Sequence, residues 1–162
     1  MSPDNQQQLF AAHPRAFRPP SNDEIAPLDS WGIECGDGWL SLITQAAALI
    51  EADIDQIHDI REWPRVAQIK EKLGELRIYM NNANPALVTQ VLAVASQSSA
   101  LCEQCGQPGT LHRTEYWHTS CKECEANRAA EPPDLETGMP ELDQIRQILA
   151  ARPGFGVQNE PV

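Results

Sequence analysis

The sequence lacks any apolar run near the ~18 residues that a membrane-crossing helix needs. Its longest such runs are Ala46–Ile50 and Val91–Ala95, which excludes a helical membrane protein. Its first ten residues, MSPDNQQQLF, have neither a basic region nor an apolar stretch. No secretory signal is therefore expected; the reading is cytoplasmic, where structural disulfides do not persist. Positive charge is also scarce. Twelve Lys and Arg face 23 Asp and Glu, a net charge of −11, divided as −2 over residues 1–30, −5 over 31–130 and −4 over 131–162. Acid spread along the whole chain argues against a protein built to neutralise phosphates.

Of 162 residues 41% are apolar, enough for one modest core. The prolines cluster at the two ends, and all four tryptophans (Trp31, Trp39, Trp63, Trp117) and both tyrosines (Tyr79, Tyr116) fall between them. This predicts a flexible leader over 1–30, a folded core over 31–130 and a linker-bearing tail over 131–162, both ends acidic. Within the core, Asp37 reads as an N-cap. Trp39, Leu40, Ile43, Ala47, Leu49 and Ile50 then lie on one apolar face of a helix over 37–54. Residues 65–80, RVAQIKEKLGELRIYM, fit either a helix interrupted by Gly74 or a hairpin turning at it. The hairpin is preferred because LRIYM is strand-like and glycine suits a turn. It would put Ala67, Ile69 and Leu73 on one side of the first strand and Leu76, Ile78 and Met80 on one side of the second. Asn84-Pro85 then supplies a cap and a first helical proline for a helix over about 85–100.

The chemistry concentrates after that helix. Cys102-Glu-Gln-Cys105-Gly106 and Cys121-Lys-Glu-Cys124 are two C-x2-C pairs fifteen residues apart, a spacing suited to one tetrahedral zinc ion. Two intervening residues allow a tight turn to aim both sulfurs at one ion, and Gly106 relieves the bend. Thr110–Ser120 reads as a short hairpin bearing Tyr116 and Trp117, and CKECEANRAAE as a helix whose start holds the second pair. Knuckle, hairpin and helix in that order describe a treble-clef zinc finger over about 101–130. Four thiolates close the coordination shell, so the zinc is structural and no catalytic role is expected.

Other polar residues carry weaker signals. His112 and His118 flank the finger hairpin and read as surface histidines, because the insert is too short for a nuclease of the ββα-metal (HNH) type. Cys35 reads as a packed thiol, and Asp53, Asp55 and Asp59 as a solvated helix end. Residues 61–77 form a locally basic stretch, five basic side chains against three acidic. On the hairpin reading, Lys70, Lys72, Arg77 and Tyr79 share its outer face, a candidate patch for an anion or an acidic partner. In the tail, Leu142, Ile145, Ile148 and Leu149 form one stripe of an amphipathic helix over about 140–151, a candidate partner-binding element.

Taken together, CGDGWLSLI (35–43), IKEKLGELRIY (69–79), CEQCGQPG (102–109), Trp117 and CKEC (121–124) resemble small zinc-finger proteins of unknown function from bacteriophages and prophages. The resemblance covers about 90 residues, 35–124. It implies a Cys-Gly-Asp-Gly-Trp helix start, a Lys-Glu-Lys hairpin and a zinc site at the four cysteines, in a phage protein of the host cytoplasm. Leu73, Glu75, Ile78 and Ser120 depart from its usual pattern. The expectation is an α+β protein: helix, β-hairpin, helix, then treble clef. Its expected function is that of a non-enzymatic zinc-binding accessory factor for a host or defence protein. The alternatives are a nucleic-acid-binding regulator using the finger and the 61–77 patch, and, third, an HNH-like nuclease.

Overall fold

The computed structural model describes residues 1–17, 28 and 31–130. In chain order the elements are α1 (Pro3–Ala12), β1 (Ile33–Glu34), α2 (Leu40–Ile54), β2 (Arg65–Lys72), β3 (Glu75–Asn81), α3 (Pro85–Ala95), β4 (Thr110–His112), β5 (His118–Ser120) and α4 (Lys122–Ala130). The fold is mixed α+β, with one sheet of order β1-β2-β3 and a separate β4-β5 pair. The chain divides into one unit over Met1–Asn127 and a second over Arg128–Val162. No helix among the described residues is long and apolar enough to cross a membrane.

α2 forms because Leu42, Ile43, Ala46, Ala47, Ile50 and Ile54 recur at three- and four-residue spacing and are all buried. They pack against Leu87, Val91 and Ala95 of α3. Burying a side chain as fully as Ile50, which is completely covered, stabilises the fold by about 1.5–3 kcal/mol. α3 begins as its sequence dictates: Asn84 Oδ1 accepts from the Leu87 N–H at 2.9 Å, with Pro85 at the first helical position. The helix gives way to a 3-10 turn over Ser96–Ala100, where the buried Ser98 hydroxyl accepts from the Leu76 N–H at 2.9 Å. Asp37 is not the cap of α2. It opens a short 3-10 turn, Asp37–Trp39, and its carboxylate accepts from the Ser2 N–H at 2.7 Å.

Residues 65–81 are a hairpin, and Lys72 faces Glu75 across a turn made of Leu73 and Gly74. Both turn residues have positive φ, +56° and +79°, the geometry of a tight two-residue turn. Leu73 is thereby thrown outward and lies 55% exposed, rather than on the apolar face. The inner face also differs. A bulge between Val66 and Gln68 adds Ala67 as an extra residue, which rephases the strand so that Val66 and Ile69, three apart, are both buried. Strict alternation through Ala67 cannot reveal that shift.

The expected flexible leader is corrected over its first part. Pro3–Ala12 form α1, and Leu9 and Ala16 are buried in the core, as is Leu28. Tertiary contacts hold this segment. Gln6 Oε1 accepts from the Ile33 N–H at 2.9 Å, and Ala16 O accepts from the Val66 N–H at 2.9 Å. Arg15 reaches Asp55 Oδ1 at 2.6 Å, and the Met1 amino group donates to Cys35 O. The segment has no sustained apolar period, so sequence periodicity leaves these anchors invisible. The 140–151 stripe lies outside the described residues.

Candidate metal centre

The two C-x2-C pairs meet through backbone geometry set by the elements between them. After Leu101, the Cys102 N–H donates to Gln107 O at 2.7 Å and the Gly106 N–H to Cys102 O at 2.9 Å. Together these close a tight knuckle. Gly106 sits at φ +73°, which a side chain would strain. β4 and β5 then pair antiparallel, with Thr110 opposite Ser120, Leu111 opposite Thr119 and His112 opposite His118. β5 delivers Cys121 to the start of α4, and Cys124 follows within its first turn, its N–H donating to Cys121 Sγ at 3.4 Å.

The four sulfurs all lie within 4.8 Å of one another, and Cys105 Sγ is 3.6 Å from Cys121 Sγ. A tetrahedral ion at the usual metal–sulfur distance of ~2.3 Å needs edges of about 3.8 Å. Cys102, Cys105, Cys121 and Cys124 are thus compatible with one metal ion. Charge points the same way. Burial pushes the Cys102 thiol up, but N–H groups of Cys121, Cys105 and Gln104 outweigh it and bring it down to about 7. Hydrogen bonding from Cys105, Cys121 and Cys102 raises Cys124 strongly. A cation placed between the sulfurs makes four thiolates compatible.

The knuckle is seated on the Gly-Asp-Gly-Trp segment. The Gly38 N–H donates to Glu103 O at 2.7 Å, the Gly36 N–H to Glu103 Oε1 at 2.9 Å, and the Trp39 indole N–H to Leu101 O at 2.9 Å. A Cβ on Gly38 would collide with backbone atoms of Cys102, Glu103 and Gly106. These glycines are needed for close backbone approach, which joins the cysteine knuckle to the entrance of α2. The β4–β5 hairpin docks in turn on the β2–β3 turn, where the Thr119 hydroxyl donates to Gly74 O at 2.7 Å.

The other sequence-derived residues separate clearly. Lys70 pairs with Arg77 across the hairpin and lies 5.5 Å from the Tyr79 ring, so these three share a face. Lys72 stands at its exposed end. Acid is interleaved there: Arg77 binds Glu75 at 2.6 Å, and Glu34 is the neighbour of Lys70 on β1. Cys35 is buried, which drives its thiol up to about 12. Asp53, Asp55 and Asp59 have different partners, Asn84, Arg15 and Arg61.

His112 and His118 are not two independent surface side chains. Their rings stack with centroids 5.1 Å apart, and His118 is buried at 7% exposure. His118 Nε2 lies 2.7 Å from Glu125 Oε2 on α4, and the Ser120 hydroxyl donates to the same oxygen at 2.7 Å. The Ser120 and His118 hydrogen bonds hold the Glu125 carboxyl below its usual range. The sequence signal for this cluster was the hairpin register, which makes two histidines six residues apart cross-strand partners. Trp117 is 40% exposed, with the Arg113 guanidinium 5.0 Å from its ring, and Tyr116 is 71% exposed. No protein-family model, no curated protein and no solved structure matches the chain.

Proposed function

We propose that this chain is a zinc-stapled protein-binding module without catalytic activity, an accessory factor of phage origin acting on a host or defence protein in the host cytoplasm. Zinc is the metal that suits four thiolates in a closed tetrahedral set, and knuckle, hairpin and helix then constitute a treble clef. The observation that carries the reading is the hairpin tip. Arg113, Tyr116 and Trp117, the residue types that dominate binding hot spots, stand together on a short hairpin whose base is held by the cysteine cluster. The net charge of −11 selects a basic protein surface as partner and repels nucleic acid. The stripe Leu142, Ile145, Ile148 and Leu149 would add an apolar anchor.

The test is affinity capture from host cells with the full chain, followed by binding measurements on the purified partner. Tyr116→Ala with Trp117→Ala should weaken that complex at least about tenfold while the zinc stays bound. Leu142→Asp with Ile148→Asp should weaken it without unfolding the core. Unchanged affinity in both double variants overturns the reading. Tight, steeply salt-dependent DNA or RNA binding, lost when Lys70, Lys72 and Arg77 become Glu, establishes the nucleic-acid regulator instead.

A second reading, metal-dependent nuclease, is favoured by one observation, the convergence of His112, His118 and Glu125. On the proposed reading, DNA and RNA stay intact with magnesium, manganese or zinc added. Cleavage that disappears in His118→Ala would put the nuclease first.

A further inference from the structure

We propose that His112, His118 and Glu125 form a second metal site, distinct from the four cysteines, that takes a divalent transition ion such as Zn2+ with an open coordination position. One ligand atom from each of the three lies within 4.8 Å of the others. His118 Nε2 and Glu125 Oε2 are 2.7 Å apart, and His112 Nδ1 and Glu125 Oε1 are 4.0 Å apart. Ligands bound at ~2.0–2.2 Å around a tetrahedral ion stand about 3.3–3.6 Å from one another. Those two separations, each to a different carboxylate oxygen, bracket the requirement, and no pair in the set stands more than 4.8 Å apart. Two imidazoles and a carboxylate are a donor set for zinc and its neighbours rather than for magnesium or calcium.

The orientation of His118 is the second argument. Its Nδ1 faces Tyr116 O at 2.8 Å while its Nε2 faces the Glu125 carboxylate at 2.7 Å. A neutral imidazole has one N–H and cannot donate to both acceptors. With Nδ1–H donating to the carbonyl, Nε2 is aimed at the carboxylate, and either a proton on Nε2 or a metal ion between the two makes that contact attractive. A backbone carbonyl fixing the far ring nitrogen is how metal-binding histidines are held. Ser120 steadies Glu125 similarly, and Thr110 Oγ1 lies 3.4 Å from His112 Nε2. The site opens onto a cleft of about 290 Å³ lined by Thr110, His112, Ser120, Lys122 and Glu125 among others. Three protein ligands leave room there for water or a small anion.

The inference is independent of the partner-binding reading, and the experiment reads the two metals separately. The full chain is dialysed to equilibrium against buffered free zinc, from nanomolar to about 100 µM, and bound zinc is counted. Two equivalents are expected, the tighter in the thiolate cluster. Glu125→Gln and His112→Gln involve part-exposed side chains and are the milder variants; each should keep the first equivalent and weaken the second at least about tenfold. His118→Ala should abolish the second. X-ray absorption of the doubly loaded protein should show nitrogen and oxygen ligands beside sulfur, and of the Glu125→Gln protein with one equivalent, sulfur alone. A single equivalent at every concentration overturns the proposal, as does a second equivalent unchanged in Glu125→Gln and His112→Gln. Loss of the first equivalent in wild type would instead refute the thiolate site.

Discussion

Gly38→Ala tests the seating of the cysteine knuckle on the helix entrance most severely. The added methyl group would meet backbone atoms of Cys102, Glu103 and Gly106 rather than a side chain able to swing away. Forcing one carbon into such a contact costs about 1–3 kcal/mol. If the two segments part, the Gly38 N–H to Glu103 O bond of 2.7 Å goes as well, a further ~1 kcal/mol. A loss of about 3 kcal/mol corresponds to roughly 6–12 °C in melting temperature for a chain of this length. The assay is chemical unfolding of zinc-loaded wild type and variant, with Gln90→Ala on the exposed side of α3 as control. Zinc affinity should fall along with stability, because the displaced backbone carries Cys102 and Cys105. A Gly38→Ala protein within about 0.5 kcal/mol of wild type, the range of an ordinary surface substitution, would refute the proposed steric role of this glycine.

Leu73→Asn should stabilise the protein by about 0.5–1 kcal/mol, since Asn tolerates the positive φ that Leu73 adopts at 55% exposure; denaturant titration reads it. Asn84→Ala should cost about 1 kcal/mol through the lost cap of α3, measured the same way. Cys35 should resist iodoacetamide at pH 8 in the folded, zinc-loaded protein, because burial keeps its thiol at about 12 and therefore protonated. Mass mapping should find it labelled only after unfolding.

What was legible in the sequence is what local chemistry dictates. Asn84-Pro85 announces a helix start, Gly74 marks the hairpin turn, and the paired cysteines declare a common ligand. The Ala67 bulge, by contrast, arises from how β2 meets β3 and the core, and no local pattern encodes it. α1 was missed because a single buried leucine and a glutamine reading distant backbone groups leave no periodic trace. Asp37 looked like a cap because its position suits one, yet the Ser2 N–H claims its carboxylate. The histidine cluster needed the packing of α4 on the β4–β5 hairpin, which brings His112, His118 and Glu125 together from two strands and a helix.

The central claim is that Cys102, Cys105, Cys121 and Cys124 hold one structural zinc. Its most direct test is native mass spectrometry with hydrogen exchange on wild type and on Cys102→Ser with Cys121→Ser, both purified at low free zinc. Structural zinc sites supply on the order of 10 kcal/mol to the fold they close. Wild type should retain one zinc and protect the amides of residues 102–124, and the double variant should lose both the ion and that protection. Zinc retained by the double variant, or a wild-type finger equally protected after the metal is stripped, would contradict the account.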